Sequence, residues 1–268
     1  MVSIIPQAYF VNKIMGSQGQ VTVMVEPGVD PHSYEPSPQQ LQALGQAQAY
    51  VKVGLGFEKG WLHKFKSVNP NLPFIDSAQG ITPLQEVAHG HDHDHDHHDD
   101  QGQTLDPHIW LSPPLVKRQG ENIYRGLAQI NPAQAATYEA NLKKFGAEID
   151  QLDQQIRQKL APFKSSKFIV FHPAWGYFAQ AYHLTQIPIE VQGQEPSAQE
   201  LAQVIKIARA ANIRVIFAQP QFSAKSAQAI AAEIKGKVIF IDDLAPHWAD
   251  NLGSVAQILA QTLNTHGR

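Results

Sequence analysis

Four short segments of this chain carry side chains able to hold a metal ion. His32 lies in DPHSYEPSP (30–38), His108 in DPHIWLSPP (106–114), His172 in FHPAWGYF (171–178) and Asp242 in IDDLAP (241–246). Asp-Pro-His opens the first two segments, and a proline closes both. A proline beside a histidine fixes φ and removes a backbone donor, which stiffens the loop; a stiff loop lowers the ordering cost of binding. Three neutral imidazoles and one carboxylate make a four-coordinate nitrogen and oxygen site, which suits Zn2+. Cu2+ and Ni2+ also accept such donors, whereas a carboxylate in place of His172 would shift preference toward Mn2+. The chain has no cysteine, so disulfides and thiolate sites are excluded and a tight site must use imidazole and carboxylate. A lone histidine is more often a hydrogen-bonded structural residue. His63, His183, His247 and His266 have no comparable context and are read as surface or structural.

A different kind of metal-binding segment is HGHDHDHDHHDD (89–100), with six histidines and five aspartates in twelve residues. His89, His91, His93, His95, His97 and His98 can all bind cations. A tight site, however, needs ligands held rigidly at set angles, and this run has no apolar anchor. Binding there orders the chain at about 1–2 kcal/mol per residue fixed. The expectation is weaker, multivalent binding that gathers zinc or senses its abundance, beside the primary site rather than as that site. The interleaved aspartates attract cations and also raise histidine pKa values, so protons compete with metal.

The elements that must position the four isolated ligands alternate between strands and helices. In the first part VSII (2–5), VTVMV (21–25), AYVKVG (49–54) and PFID (73–76) read as strands, with a helix running to Gly16 and another near Gln39–Gln48. Continuous β-branched runs of this kind suit buried parallel strands. Residues 85–104 break the pattern as a polar, low-complexity loop. A long helix follows, capped by Asn131 with Pro132 in the first turn. Tyr138, Leu142, Phe145, Ile149, Leu152, Ile156 and Leu160 recur in it at spacings of three or four, and Pro162 ends it. Such a helix is either a coiled-coil arm or, the preferred reading, a spine packed on two lobes. Strands resume at KFIVF (167–171), IPIEV (187–191), IRVIFA (213–218) and KVIFI (237–241), with helices at about Ala174–Tyr182, 197–211, 223–235 and Ala249–Leu263. Ser197 and Glu200 fit a capping box. The pattern predicts an α/β chain of two lobes, each a mainly parallel sheet with flanking helices. The expected division is 1–130, a linking helix 131–162, and 163–268. His32, His172 and Asp242 then follow the carboxyl ends of strands, where open α/β sheets bind ligands.

Composition narrows the function classes. Lys and Arg number 21 against 24 Asp and Glu, and no strongly basic stretch appears, which argues against nucleic acid as a partner. No apolar run reaches about 18 residues, so no membrane span is expected. The start, MVSIIPQAYF, has no basic region followed by a long apolar one and reads as an edge of the fold, in a chain lacking its leader or in a cytosolic protein.

At these residues the sequence resembles a known family. DPHSYEPSP, DPHIWLSP, FHPAWGYFA, QEPSAQELAQVI, FAQPQFSAKSAQAIA and FIDDLAP stand in the order found in the extracytoplasmic solute-binding proteins of ABC metal importers, specifically the zinc-uptake branch. The likeness covers nearly the whole chain, and a charged histidine-rich insert ahead of DPHIW is also a feature of that branch. The resemblance implies a bilobed fold with a rigid helix between lobes, and a site in the cleft with His32, His108 and His172 as ligands. It places the family's C-terminal aspartate on Asp242, with neighbouring Asp243 or water as alternatives for the fourth position. Manganese members carry glutamate where this chain has His172, so the resemblance points to zinc. It further implies a monomeric receptor in the periplasm or on the outer cell face that hands Zn2+ to a membrane permease.

Two function classes compete on these residues. A receptor captures and releases its ion without chemistry. A zinc hydrolase also uses three histidines and an open fourth position, and Glu35, three residues after His32, could serve it as general base. The chain has no His-Glu-x-x-His helix, and a fourth ligand at Asp242 leaves no room for an activated water. The receptor is the expected function.

Overall fold

The computed structural model describes residues 1–85, 105–190, 196–222 and 225–264. The histidine-rich run 89–100, His266 and Gln194–Glu195 of the QEPSAQELAQVI motif lie outside the described residues. The fold is α/β. It divides into two compact units, one made of 1–81, 109–159 and 244–257, the other of 82–108, 160–243 and 258–268.

The first unit holds helix α1 (Ile5–Met15), α2 (Pro38–Gly45), strand β1 (Tyr50–Lys52), α3 (Gly56–Val68), β2 (Phe74–Asp76), α4 (Pro113–Ile130) and most of α5 (Ala135–Leu160). β1 and β2 pair in parallel, Val51 opposite Ile75. The strands expected at 2–5 and 21–25 shrink to single parallel bridges, Val2 to Val23 and Val2 to Val51. Pro6 explains the shortening. It has no N–H to extend a ladder and sits in the first turn of α1, a favoured place for proline. The Gln7 side chain then accepts the Ser3 and Ile4 N–H groups at 3.0 and 3.3 Å, taking up donors that the interrupted strand leaves over.

Glu58 performs a similar task at the start of α3. Its buried carboxylate accepts the N–H groups of Val53, Gly54 and Leu55 at 2.9, 2.6 and 3.1 Å, and it also accepts from the Ser3 hydroxyl. The chain turns through Gly54 at φ +101°, a conformation in which a Cβ is strained. Burial pushes the Glu58 carboxyl above the ordinary glutamate range, against the lowering effect of these hydrogen bonds.

Helix α4 was not evident from the sequence, where Pro113 reads as the close of a motif. It is instead the first helical residue, and Val116, Gln119, Gly120 and Ile123 form the buried face. The long helix expected from Pro132 begins as a 3-10 turn, Pro132–Gln134, and continues as α5. At 26 residues it is about 39 Å long, and Tyr138, Phe145, Ile149, Leu152, Ile156 and Leu160 are buried along one stripe.

The second unit is an open parallel sheet. Its elements are β3 (Lys167–Val170), α6 (Gly176–Ala181), β4 (Thr185–Pro188), α7 (Ala198–Ala210), β5 (Val215–Ala218), α8 (Lys225–Glu233) and β6 (Lys237–Phe240). The strand order is β4-β3-β5-β6. Ser197 caps α7 through the expected box with Glu200, at 2.7 and 3.3 Å. Ile169, Ile187, Ile189, Val204, Ile213, Ile216 and Ile230 belong to one buried cluster between sheet and helices. The last helix, α9 (Trp248–Asn264), starts in the first unit, where Trp248 packs edge-on against Phe10 at 5.2 Å and donates from Nε1 to the Trp110 carbonyl at 2.7 Å. Among the described residues no helix is long and apolar enough to cross a membrane.

From β3 the chain moves to β4 on one side of the sheet, and from β5 it moves to β6 on the other. The carboxyl ends of β3 and β5 are therefore a topological switch point, the place where such sheets bind ligands. His172 lies two residues beyond β3.

Candidate metal centre

The two Asp-Pro-His segments share a local geometry. In each, the aspartate accepts the backbone N–H of the histidine two residues on: Asp30 Oδ1 from His32 at 2.8 Å, Asp106 Oδ1 from His108 at 2.9 Å. This turn, together with the proline between the two residues, sets the histidine backbone. Each segment then leads into a helix. Ser37 caps α2 in a box with Gln40, at 3.4 and 2.8 Å, and Pro113 opens α4.

At His108 the same Asp106 oxygen also meets the ring Nδ1, at 2.7 Å. The Asp106 backbone is itself held at both its polar groups, and its side chain sits close against Gly176. Its N–H donates to the Leu84 carbonyl at 3.0 Å, its carbonyl accepts from the Tyr177 hydroxyl at 3.0 Å, and its Oδ2 lies where a Cβ on Gly176 would come within 2.6 Å. Gln85 and Leu105 form an antiparallel bridge just ahead of this segment.

His172 is set by the register of the parallel sheet. Lys167 pairs with Thr185 and Val170 with Pro188, an offset of 18 that brings Glu190 opposite His172. Val170 pairs with Phe217, an offset of 47 that brings Gln219 opposite His172 on the other side. The backbone extends the ladder, with Phe171 donating to Phe217 at 2.7 Å and Glu190 to Phe171 at 2.9 Å. Glu190 Oε2 lies 2.9 Å from His172 Nδ1. The Gln219 amide bonds the His172 backbone, and the Phe222 ring stacks on the imidazole at 4.7 Å and 24°.

The structure brings His108 and His172 together. Their rings lie 5.1 Å apart at 73°, and the two Nε2 atoms face each other at 3.2 Å. Asp106, His108, His172 and Glu190 are at most 6 % exposed. An ionised carboxylate only accepts hydrogen bonds, so a carboxylate facing each Nδ1 favours the tautomer protonated there. In that tautomer each Nε2 presents a lone pair to the other ring, and a cation between the two relieves their repulsion. Two nitrogens bound to one tetrahedral zinc, each at about 2.0–2.1 Å, stand about 3.3–3.4 Å apart. The observed 3.2 Å matches the edge of that tetrahedron.

Asp242, in the loop after β6, accepts from Gln221 Nε2 at 2.8 Å, and the adjacent Asp243 is buried. Glu35 is exposed in the first unit. Sequence reasoning missed Asp106, Glu190, Gln219 and Phe222. Asp106 had a signal, since aspartate precedes histidine by two residues in both copies of the motif. Glu190, Gln219 and Phe222 had none, because register is what brings them to His172.

An open parallel α/β sheet with two carboxylate-backed histidines meeting at the end of β3 fits a metal-binding solute receptor. The family model for zinc-uptake complex component A, periplasmic, matches residues 1–265, and the chain belongs to that family. Its relatives include the high-affinity zinc uptake system protein ZnuA of Bacillus subtilis, 31% identical over 89% of this chain and 76% of that protein. A crystal structure of ZnuA superposes with a TM-score of 0.89 at 52% identity, covering 98% of this chain and 97% of the other. An internal deletion mutant of ZnuA with zinc bound gives the same TM-score and identity, over 97% and 96%. The proteins this chain is similar to are zinc-uptake receptors, not enzymes, so the hydrolytic reading with Glu35 as base is set aside.

Proposed function

We propose that this protein captures Zn2+ and delivers it to an ABC-type permease on the outer side of the cytoplasmic membrane. His108 and His172 bind through Nε2, with His32 and Asp242, the further ligands expected from the sequence, completing the donor set. The observation that carries this reading is the pair of Nε2 atoms 3.2 Å apart, each ring met at Nδ1 by a buried carboxylate. Membership in a periplasmic zinc-uptake family supports both the ion and the location. Capture without chemistry suits a site whose donors are all protein side chains. The run 89–100 serves as a second, weaker zinc-gathering or zinc-sensing element.

The test is zinc affinity by competition with a chelator, in protein lacking residues 89–100. His32→Ala, His108→Ala and His172→Ala should each lower affinity at least about 100-fold, since a removed ligand costs more than the 10–100-fold of an outer-shell partner. A loss confined to one of the three would dissolve the shared site. Restoring the run should raise the number of ions bound without changing the tightest affinity.

A further inference from the structure

We propose that Glu190 is a positioning residue for zinc, one that selects the nitrogen through which His172 binds. This rests on the reading of His172 as a ligand and adds to it a residue outside the ligand set. Three observations carry it. Glu190 lies two residues beyond Pro188 as His172 lies two beyond Val170, the pair with which the β3–β4 register ends. Its backbone is tied into that ladder, Glu190 N–H donating to the Phe171 carbonyl at 2.9 Å. Its carboxylate is 6 % exposed and meets Nδ1 at 2.9 Å, on the side of the ring away from His108.

A buried carboxylate is costly unless it is paired, and a purely structural contact at this point would be met by an amide or an apolar side chain. What distinguishes a carboxylate, when ionised, is that it accepts and cannot donate. It stabilises the tautomer with the proton on Nδ1, which makes Nε2 the nitrogen that binds metal. It also places a negative charge behind the ring and raises its strength as a ligand, as carboxylates behind metal-bound histidines do. His108 has the same arrangement from a different source. Asp106 belongs to its own turn and is placed by two residues of chain, whereas Glu190 is supplied by the neighbouring strand.

The experiment uses the full chain and three substitutions. Glu190→Gln keeps the shape but can flip its amide, accepting from Nδ1 in one orientation and donating to it in the other. Zinc affinity should fall about 10–100-fold. The metal-free protein, held at a pH above the ordinary imidazole range, should show both His172 tautomers in 15N-imidazole spectra where the native chain shows one. Glu190→Ala should lose at least as much affinity. Glu190→Asp, still an acceptor only, should keep the single tautomer and recover part of the affinity. Native affinity in Glu190→Gln overturns the proposal, and so does a loss of affinity with the tautomer unchanged. If His172→Ala itself holds zinc as tightly as the native chain, the site reading fails rather than this inference.

Discussion

The side-chain amide of Gln219 bonds both backbone groups of His172, accepting from its N–H at 3.3 Å and donating at 3.0 Å to its carbonyl, which also accepts from the Ala174 N–H at 2.9 Å. Gln219 follows β5 and is fully buried. It substitutes for the next residue pair of the ladder after β3 ends, so the imidazole is carried on backbone as constrained as a strand. Gln219→Ala leaves a buried donor and acceptor without this partner, which costs about 1–3 kcal/mol. Chemical denaturation should show that loss, and chelator competition should show weaker zinc binding in the same protein.

Gly176 makes room for the carboxylate that orients His108. A Cβ there would come within 2.6 Å of Asp106 Oδ2. The Asp106 backbone cannot retreat, because Leu84 and Tyr177 hold it, so the carboxylate must rotate off Nδ1. Gly176→Ala should therefore lower zinc affinity about 10-fold, in the range for lost outer-shell partners. The melting temperature should move little, which separates this effect from unfolding.

Gly236 is a different case. Its Cβ would lie 2.2 Å from the Arg214 carbonyl oxygen, and Arg214 immediately precedes β5, whose Val215 pairs with Lys237 of β6. Backbone cannot swing aside as a side chain can. Gly236→Ala should cost about 3 kcal/mol or more, beyond ordinary overpacking. The loss should appear in denaturant midpoints, with zinc present or absent.

Glu58 predicts a pH dependence of stability. Its carboxyl is pushed up by burial, so the folded chain holds this proton at pH values where the unfolded chain has released it. Stability contributed at this position is therefore largest below the ordinary glutamate range, and it falls as pH rises toward the folded value. Glu58→Gln has no proton to lose there. The native protein should lose stability relative to Glu58→Gln across that window, and the difference should level off above it. A difference that grows in favour of the native chain as pH rises would contradict the assignment.

Much of the architecture was legible in the chain. Short apolar runs marked β1, β2, β3, β5 and β6, and the run expected at 187–191 overlapped β4 only at Ile187 and Pro188. The periodicity of Tyr138, Phe145, Ile149, Leu152 and Ile156 marked α5, and Ser197 with Glu200 marked the start of α7. The failures were equally physical. Pro6 cut the first strand to a bridge at Val2, a competition between helix start and strand that propensity alone leaves undecided. Pro113 looked like the end of a motif and was the beginning of α4.

The candidate centre divides along the same line. Sequence alone determined His32, His108 and His172 as the candidate ligands and the Asp-Pro-His turns that set two of them, because such turns are made within three residues of chain. Only the tertiary structure decided what stands behind His172. Glu190 and Gln219 are 18 and 47 residues away, and they reach it because parallel strands in fixed register continue the same offset beyond their ends. That register comes from the packing of the whole sheet against its helices, and no local pattern of residues encodes it.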